Sequence, residues 1–435
     1  MKNSGFGRRG AAPAVLISVV ALILFIAATI PLGARVLGWY YFREQNEKAL
    51  ISAIRWDRGN ASYHYLLGKY YHMSLGSTDM PKAIASYEES LKRSPLQPGI
   101  WIDLSKAYQL NNQPSEAEHA LERAIKLNPN NPSLLWEAGT FYLMNNNTEK
   151  AVTVLRQYLL LEPAMQSMVY DLCWKLKLEN NFIIRNIVPQ SYTYQSGYLL
   201  YLISAKKAAE SADAWKTLDP NSIEKKDFIA YTNFLIEQGL YNQAESVWNE
   251  VTAKIEGMHG REANSLLWNH GFESEPLNGG FDWRITETAG VNVFIDDSVK
   301  MTGTRSLGIV FDGQHNPDIT IARQVVLITP GTHYVLRTYI KTDEITTKNG
   351  ILIQVQGHNC TGLEARTDSI FGSGYWKEVT MDFEAPASCS AAVVMIRRER
   401  SQKLDNKIEG TAWIDGIILK PQTATQTSSS KKHTK

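Results

Sequence analysis

The sequence predicts a multidomain chain in three parts: a single transmembrane helix, an all-α array of helical hairpins, and an all-β sandwich. Three observations carry this. From Ala14 to Ile30 the chain reads AVLISVVALILFIAATI, with only Ser18 and Thr29 polar. Prolines recur at Pro95, Pro129 and Pro163, 34 residues apart, and the residues between them repeat in kind. After Gly257 the helical period gives way to short alternating runs separated by Gly, Pro, Asn and Asp. At roughly 150 residues per domain, 435 residues correspond to about three structural units.

Composition narrows the function. With 44% hydrophobic and 20% charged residues the chain is an ordinary folded protein, which excludes wholesale disorder. Forty-five basic against 44 acidic side chains leave a net charge of +1, without the basic excess of a nucleic-acid binder, so no nucleic-acid partner is expected. Three cysteines (Cys173, Cys360, Cys389) and no CxxC pair exclude a disulfide-dense scaffold and a zinc ribbon.

The uncharged stretch from Gly10 to Ala34 covers ~37 Å as a helix, more than the ~30 Å hydrocarbon core of a bilayer. Lys2, Arg8 and Arg9 precede it and Arg35 and Arg43 follow, a small basic bias toward an inside N-terminus. Trp39, Tyr40, Tyr41 and Phe42 then supply an interfacial aromatic cluster. The reading is a cytoplasmic segment 1–10, an uncleaved anchor at 11–37, and the bulk of the chain outside the cytoplasm. The alternative is a cleavable signal peptide ending at Leu32-Gly33-Ala34, although its apolar run exceeds the usual 7–15 residues.

In the ungapped repeats Trp101, Leu104, Tyr108, Ala117, Leu121, Ala124 and Pro129 are followed by Leu135, Ala138, Gly139, Tyr142, Ala151, Leu155, Tyr158 and Pro163. An earlier copy (Leu67, Gly68, Tyr71, Ala83, Tyr87, Ser90, Pro95) carries three extra residues in its inter-helix turn. This resembles the tetratricopeptide repeat family, whose 34-residue unit is a helix pair. Small residues at the eighth and twentieth positions let paired helices approach, and each closing proline stops the second helix. Weaker copies at Ala49–Arg58 and at Phe228, Tyr231, Leu235, Ala244, Trp248 and Val251 extend the expected solenoid over 42–258. The resemblance implies a groove that holds a partner peptide or protein. Candidate groove residues on the first helices are Tyr65, Lys69, Asp103, Lys106, Asn111 and Asn112.

The β region is expected to form strands at 306–311, 318–328, 332–341, 350–358, 376–384, 391–397 and 411–420, enough for a two-sheet sandwich over 264–421. The polar stretch 422–435 reads as a disordered tail. Alternation puts Tyr334, Leu336, Thr338 and Ile340 on one face and Arg337, Tyr339 and Lys341 on the other; Ile351, Ile353 and Val355 oppose Gln354, Gln356 and His358 in the same way. If these strands are neighbours, Arg337, Tyr339, Gln354, Gln356, His358 and Arg397 form one groove, an aromatic ring flanked by planar polar side chains, the make-up that a carbohydrate-binding groove needs. Cys360 and Cys389 lie at strand edges outside the cytoplasm, so a bridge is open to them, as is a pair of buried thiols.

The phrases NHGFE (269–273), DWRI (282–285), TGTRSLGIVFDG (302–313), PGTHYVLRTYIKTD (330–343), GYWKEVTMDFEAP (374–386) and AWIDGIIL (412–419) occur in an order similar to the jelly-roll carbohydrate-binding modules attached to glycoside hydrolases. That resemblance implies a jelly-roll sandwich, a sugar ligand, and a structural calcium held by Glu273 and Asp415. It also implies a buried tryptophan at Trp376, with Trp413 likewise in the core; Trp283 is left open.

No GxSxG elbow, HExxH helix, Walker loop or GxGxxG turn appears, and adjacent Asp296 and Asp297 would face opposite ways in a strand, so no catalytic residue is assigned and no cofactor is required. The functional expectation is a single-pass protein of the inner (plasma) membrane, mostly periplasmic or otherwise extracytoplasmic. It would hold envelope proteins through its repeats and a polysaccharide through its sandwich, in exopolysaccharide or envelope polysaccharide assembly or export. The rival expectation is a glycoside-hydrolase-associated carbohydrate-binding protein, or a weak hydrolase.

Overall fold

Helix α1 (Ala11–Phe42) runs unbroken through the apolar stretch, Pro31 included. Its part Leu16–Phe42 is long and apolar enough to cross a membrane, by length and composition. It outlasts the expected 11–37 span because its last turns are packed. Gly38 lacks a side chain, and a Cβ there would meet the Tyr63 ring at 3.2 Å. One turn on, the Phe42 and Tyr63 rings lie 5.3 Å apart. The computed structural model describes residues 11–44, 46–74, 78–254, 265–404 and 406–422, so the expected segment 1–10 and nearly all of the tail 422–435 lie outside the described residues. The chain divides into two units, Met1–Pro189 and Gln190–Lys435.

In the first unit α2 (Glu47–Trp56) is followed by three helix pairs. These are α3 (Ala61–Met73) with α4 (Met80–Arg93), α5 (Pro98–Leu110) with α6 (Pro114–Leu127), and α7 (Pro132–Met144) with α8 (Thr148–Leu161). Prolines at the first position of α5, α6 and α7 start helices where no N–H partner is needed. At the other ends Ser94, Asn128 and Glu162 leave the helical region with ψ of 75°, 76° and 69°, because the ring of the following proline excludes it. The small eighth position does what the spacing requires. A Cβ on Gly68 would lie 2.6 Å from the Tyr87 ring, and one on Gly139 would lie 2.4 Å from Leu155.

Beyond α9 (Gln166–Lys175) and α10 (Asn180–Phe182) the repeat breaks. A π-helical turn at Ile183–Ile187 leads to Val188, extended at ψ 121° ahead of Pro189. The boundary between the two units falls there. Helices α11 (Tyr192–Ser204), α12 (Ala208–Trp215), α13 (Lys225–Glu237) and α14 (Tyr241–Thr252) therefore belong with the sandwich.

The sandwich is two antiparallel five-stranded sheets. The first runs β1 (Arg284–Ile285), β4 (Ile319–Leu327), β9 (Ala391–Arg398), β6 (Leu352–Gly357), β7 (Glu364–Arg366); the second runs β2 (Val291–Asp296), β3 (Ser306–Asp312), β10 (Glu409–Pro421), β5 (His333–Ile345), β8 (Gly372–Glu384). All seven expected strands are present. Strands β1 and β7 are too short, and β2 too mixed in burial, to have stood out by alternation. Leu307, Ile309, Leu336, Ile340, Ile353, Val355, Val394, Ile396 and Ile414 fill the space between the sheets. The tryptophan in that core is Trp283, fully buried. Trp376 and Trp413, expected there, are only half-buried: the Trp413 indole donates to Asp296 at 2.8 Å and lies under the Lys341 ammonium, on the outer side of the second sheet. Cys360 and Cys389 are disulfide-bonded, and Cys173 is free and buried.

Gly139→Val places methyl groups where Leu155 stands. We expect it to cost ~1–3 kcal/mol, read as a lowered denaturant midpoint of the full chain; an unchanged midpoint would contradict the contact between α7 and α8.

Candidate functional site

Alternation decides which side chains the first sheet turns away from the core. Ala392, Val394, Ile396, Ile353 and Val355 point into the inter-sheet core, so Arg397, Met395, Gln354 and Gln356 turn to the other face, where Met395 and Gln354 are nonetheless covered, 8% and 5% exposed. The register puts Gln354 opposite Met395 and Arg366, and Arg397 opposite Thr320 and Leu352. A polar ladder results. Arg397 donates to Gln354 Oε1 at 2.9 Å and to Asp318 at 2.8 Å, while Gln354 donates to Glu364 at 3.4 Å.

The six residues expected in one groove separate into two groups. Gln354, Gln356 and Arg397 share the outer face of the first sheet, with His358 at its rim just past β6. Arg337 and Tyr339 lie on β5 in the second sheet, where Arg337 pairs with Glu378 at 3.8 Å and Tyr339 packs beside Gly416. The reason is topological: β5 and β6 follow one another in sequence, yet the chain crosses between sheets after Ile345.

The face is completed from elsewhere. Asn233 of α13 accepts hydrogen bonds from the Gly280 amide at 2.7 Å and from Arg284 Nη2 at 2.6 Å. Gly280, at φ +59°, lets the chain pass so close that a Cβ would lie 2.0 Å from the Trp248 ring of α14. The Tyr241 hydroxyl of α14 bonds the His358 ring at 2.9 Å. Between helix and sheet, Ile236, Glu237, Arg284, Arg323, Val325 and His358 line a cavity of about 160 Å³. Burial, then the charges of Arg284 and Arg323, hold the His358 pKa below its ordinary value. Sequence reasoning missed Arg284, Arg323 and Tyr241. In ITIARQVVL, Arg323 falls in step with core residues Ile319 and Ile321, so alternation gives no outward sign; the irregularity between Thr320 and Ala322 turns it out, and a two-residue strand and a contact spanning 117 residues leave no local signal either.

Asp282 holds the turn that delivers Arg284. Its buried carboxylate accepts the Leu277 amide at 2.8 Å and the Trp283 amide at 2.7 Å. Burial outweighs those bonds and pushes its pKa up to about 6.

The proposed calcium ligands do come together. A Cβ on Gly271 would lie 3.5 Å from Glu273 Oε1 and 3.6 Å from Asp415 Oδ1. Asp415 accepts the Met301 and Thr302 amides at 2.8 and 2.7 Å, and Glu273 accepts the Thr304 amide at 3.0 Å. Hard carboxylate oxygens are the right donor type for calcium, although no third carboxylate, histidine or cysteine joins them among the described residues.

In the first unit the structure brings four of the six groove candidates into line. The Tyr65 hydroxyl donates to Asp103 at 2.7 Å, the Lys69 ammonium lies 5.6 Å from the Tyr65 ring, and Lys106 pairs with Glu137 at 2.8 Å. A cavity of about 210 Å³ opens beside Lys106, Gln109, Trp136 and Glu137. Asn111 and Asn112 instead build the turn after α5. Asn111 caps the helix and donates to Gln113 at 2.7 Å, while Asn112 sits at φ +58°, as does Asn146 one repeat later.

Residues 110–173 match the tetratricopeptide repeat family model. No curated protein matches the chain. Among solved structures it is similar to the xylan-binding CBM22-1 domain of Xyn10C from Paenibacillus barcinonensis, with 12% identity over 36% of this chain and 93% of that one (TM-score 0.26). The C-terminal family 22 carbohydrate-binding module of Xyn10B from Clostridium thermocellum gives 17% identity over 37% and 96% (TM-score 0.26). YrrB, a tetratricopeptide protein with an unusual peptide-binding site, gives 12% identity over 48% and 93% (TM-score 0.26). The enzymatically active domain of the bacteriophage CBA120 tailspike protein 4 is covered over only 22% of its length.

The raised Asp282 pKa predicts a pH dependence with a definite sign. The folded state holds this proton more tightly than the unfolded chain, so the carboxyl favours folding below about pH 4 and loses that contribution as pH rises through about 6. The stability difference between wild type and Asp282→Asn should therefore fall between pH 4 and 6, by on the order of 3 kcal/mol. Parallel denaturation curves across that range would contradict it.

Proposed function

We propose that the chain is a membrane-anchored, extracytoplasmic scaffold without enzymatic activity of its own. It holds a partner protein of the cell envelope in its repeat groove and a polysaccharide on the outer face of its first sheet. The setting is assembly or export of an envelope polysaccharide at the inner membrane, with the repeats and sandwich in the periplasm. What supports the glycan part is one observation. The Asp318–Arg397–Gln354–Glu364 ladder lays planar donors and acceptors across adjacent strands, the chemistry that hydroxyl-rich ligands require. The repeat match, the Tyr65–Asp103 and Lys106–Glu137 pairs along the first helices, and the apolar α1 support the rest.

Binding of the full chain, in detergent micelles, to a printed array of envelope and plant polysaccharide fragments tests this reading. Arg397→Ala should weaken the signal at least tenfold, and Arg337→Ala, on the other sheet, should leave it unchanged. An array on which no glycan binds would overturn the proposal.

A calcium ion held by Glu273 and Asp415 belongs to the same proposal, as a tie between the first turn of the sandwich and its last strand. Millimolar calcium should raise the melting temperature over that in chelator, and Asp415→Asn should abolish the difference. Identical melting with and without calcium would remove the metal from the account.

A further inference from the structure

The outer face of the first sheet carries four arginines, and they are not equivalent. Arg397 pairs with Asp318 at 2.8 Å and Arg366 with Glu399 at 3.1 Å. Arg284 and Arg323 have no carboxylate within ion-pair distance among the described residues, although they stand directly opposite one another on β1 and β4. Like charges in that relation repel. The Arg284 guanidinium meets a neutral acceptor, Asn233, and is desolvated enough that its pKa is lowered, with Arg323 adding to the effect. Both line the cavity beside His358, whose ring is turned toward the Tyr241 hydroxyl. Glu237 is the one acid among the described residues lining the cavity, against two guanidinium groups. The outward strand positions around it (Val325, Val393, Met395, Gln354) offer no aromatic ring on which a neutral sugar would stack.

We infer that this cavity, walled by α13 and the first sheet, binds the anionic substituent of an acidic glycan, a uronate carboxylate or a sulfate ester. Arg284 and Arg323 would be its charge partners. The inference rests on the glycan-binding reading above and deepens it by naming the ligand class. An anion between the two guanidinium groups removes their mutual repulsion and gains charge-assisted hydrogen bonds in a partly desolvated place. About 160 Å³ is room for one charged sugar ring or its substituent, so the polar ladder of Arg397 and Gln354 would take the neighbouring part of the same chain.

The test uses the full chain in detergent micelles. Uronate-bearing oligosaccharides are each assayed beside their carboxyl-reduced forms, together with sulfated and desulfated versions of one further oligosaccharide. The expected result is binding to acidic members at least tenfold tighter than to their neutral forms, weakened between 50 and 300 mM salt. The acid series that shows the difference distinguishes carboxylate from sulfate. Arg323→Gln, at an exposed position, should remove that preference, Arg323→Lys should restore part of it, and Arg337→Gln should do nothing. Equal binding of acidic and neutral forms, or a silent Arg323→Gln, overturns the inference and leaves the glycan-binding reading standing. Failure of every glycan, charged or neutral, overturns both.

Discussion

The second unit depends on the burial of Trp248. Its ring stacks on Phe228 within the α13–α14 pair at 5.0 Å, and meets Trp268 at 5.6 Å and Phe281 at 6.0 Å edge-on from the sandwich side. Gly280 is pressed against it where no side chain fits. The indole N–H is buried with no hydrogen-bond partner among the described residues, a cost of ~1–3 kcal/mol that the aromatic packing offsets. The helix-side wall of the first sheet follows from that contact. It places Asn233 at the Gly280 amide and at Arg284, and brings Tyr241 to His358.

Helix α13 thus forms one wall of a sandwich cavity. This changes what the β region is. Read by itself, it is a sandwich with an open sheet face. In the folded unit that face is bordered by α13, and its charged end is set by residues from both elements. The first unit shows a complementary economy, with Tyr65–Asp103 and Lys106–Glu137 linking successive first helices while Gly68 and Gly139 let each pair close.

The parts of this structure that were legible in the sequence are those fixed by local rules. Pro95, Pro129 and Pro163 end helices, Gly68 and Gly139 mark close approach, and alternation in YVLRTYIKT and GILIQVQGH separated inward from outward residues correctly. What local rules do not encode is which strands become neighbours. The crossing after β5 sent Arg337 and Tyr339 to one sheet and Gln354, Gln356 and Arg397 to the other. Trp376 was placed in the core by resemblance and Trp283 left open, whereas the structure buries Trp283. Asn111 and Asn112 lie on the expected helix, but their position at its end makes them turn formers. The division at Pro189 had a local sign, the Val188-Pro189 step, inside a stretch whose helical pattern continues on both sides.

The coupling of the α13–α14 pair to the first sheet is the claim on which the rest stands, and hydrogen–deuterium exchange of the full chain carrying Trp248→Ala tests it most directly. If the aromatic contact holds the two elements together, amides of residues 279–285 and of β4 lose protection along with those of α13 and α14. Loss confined to the two helices, with the sheet exchanging as in the wild type, would mean that the sandwich stands without them and that the cavity is not theirs to build.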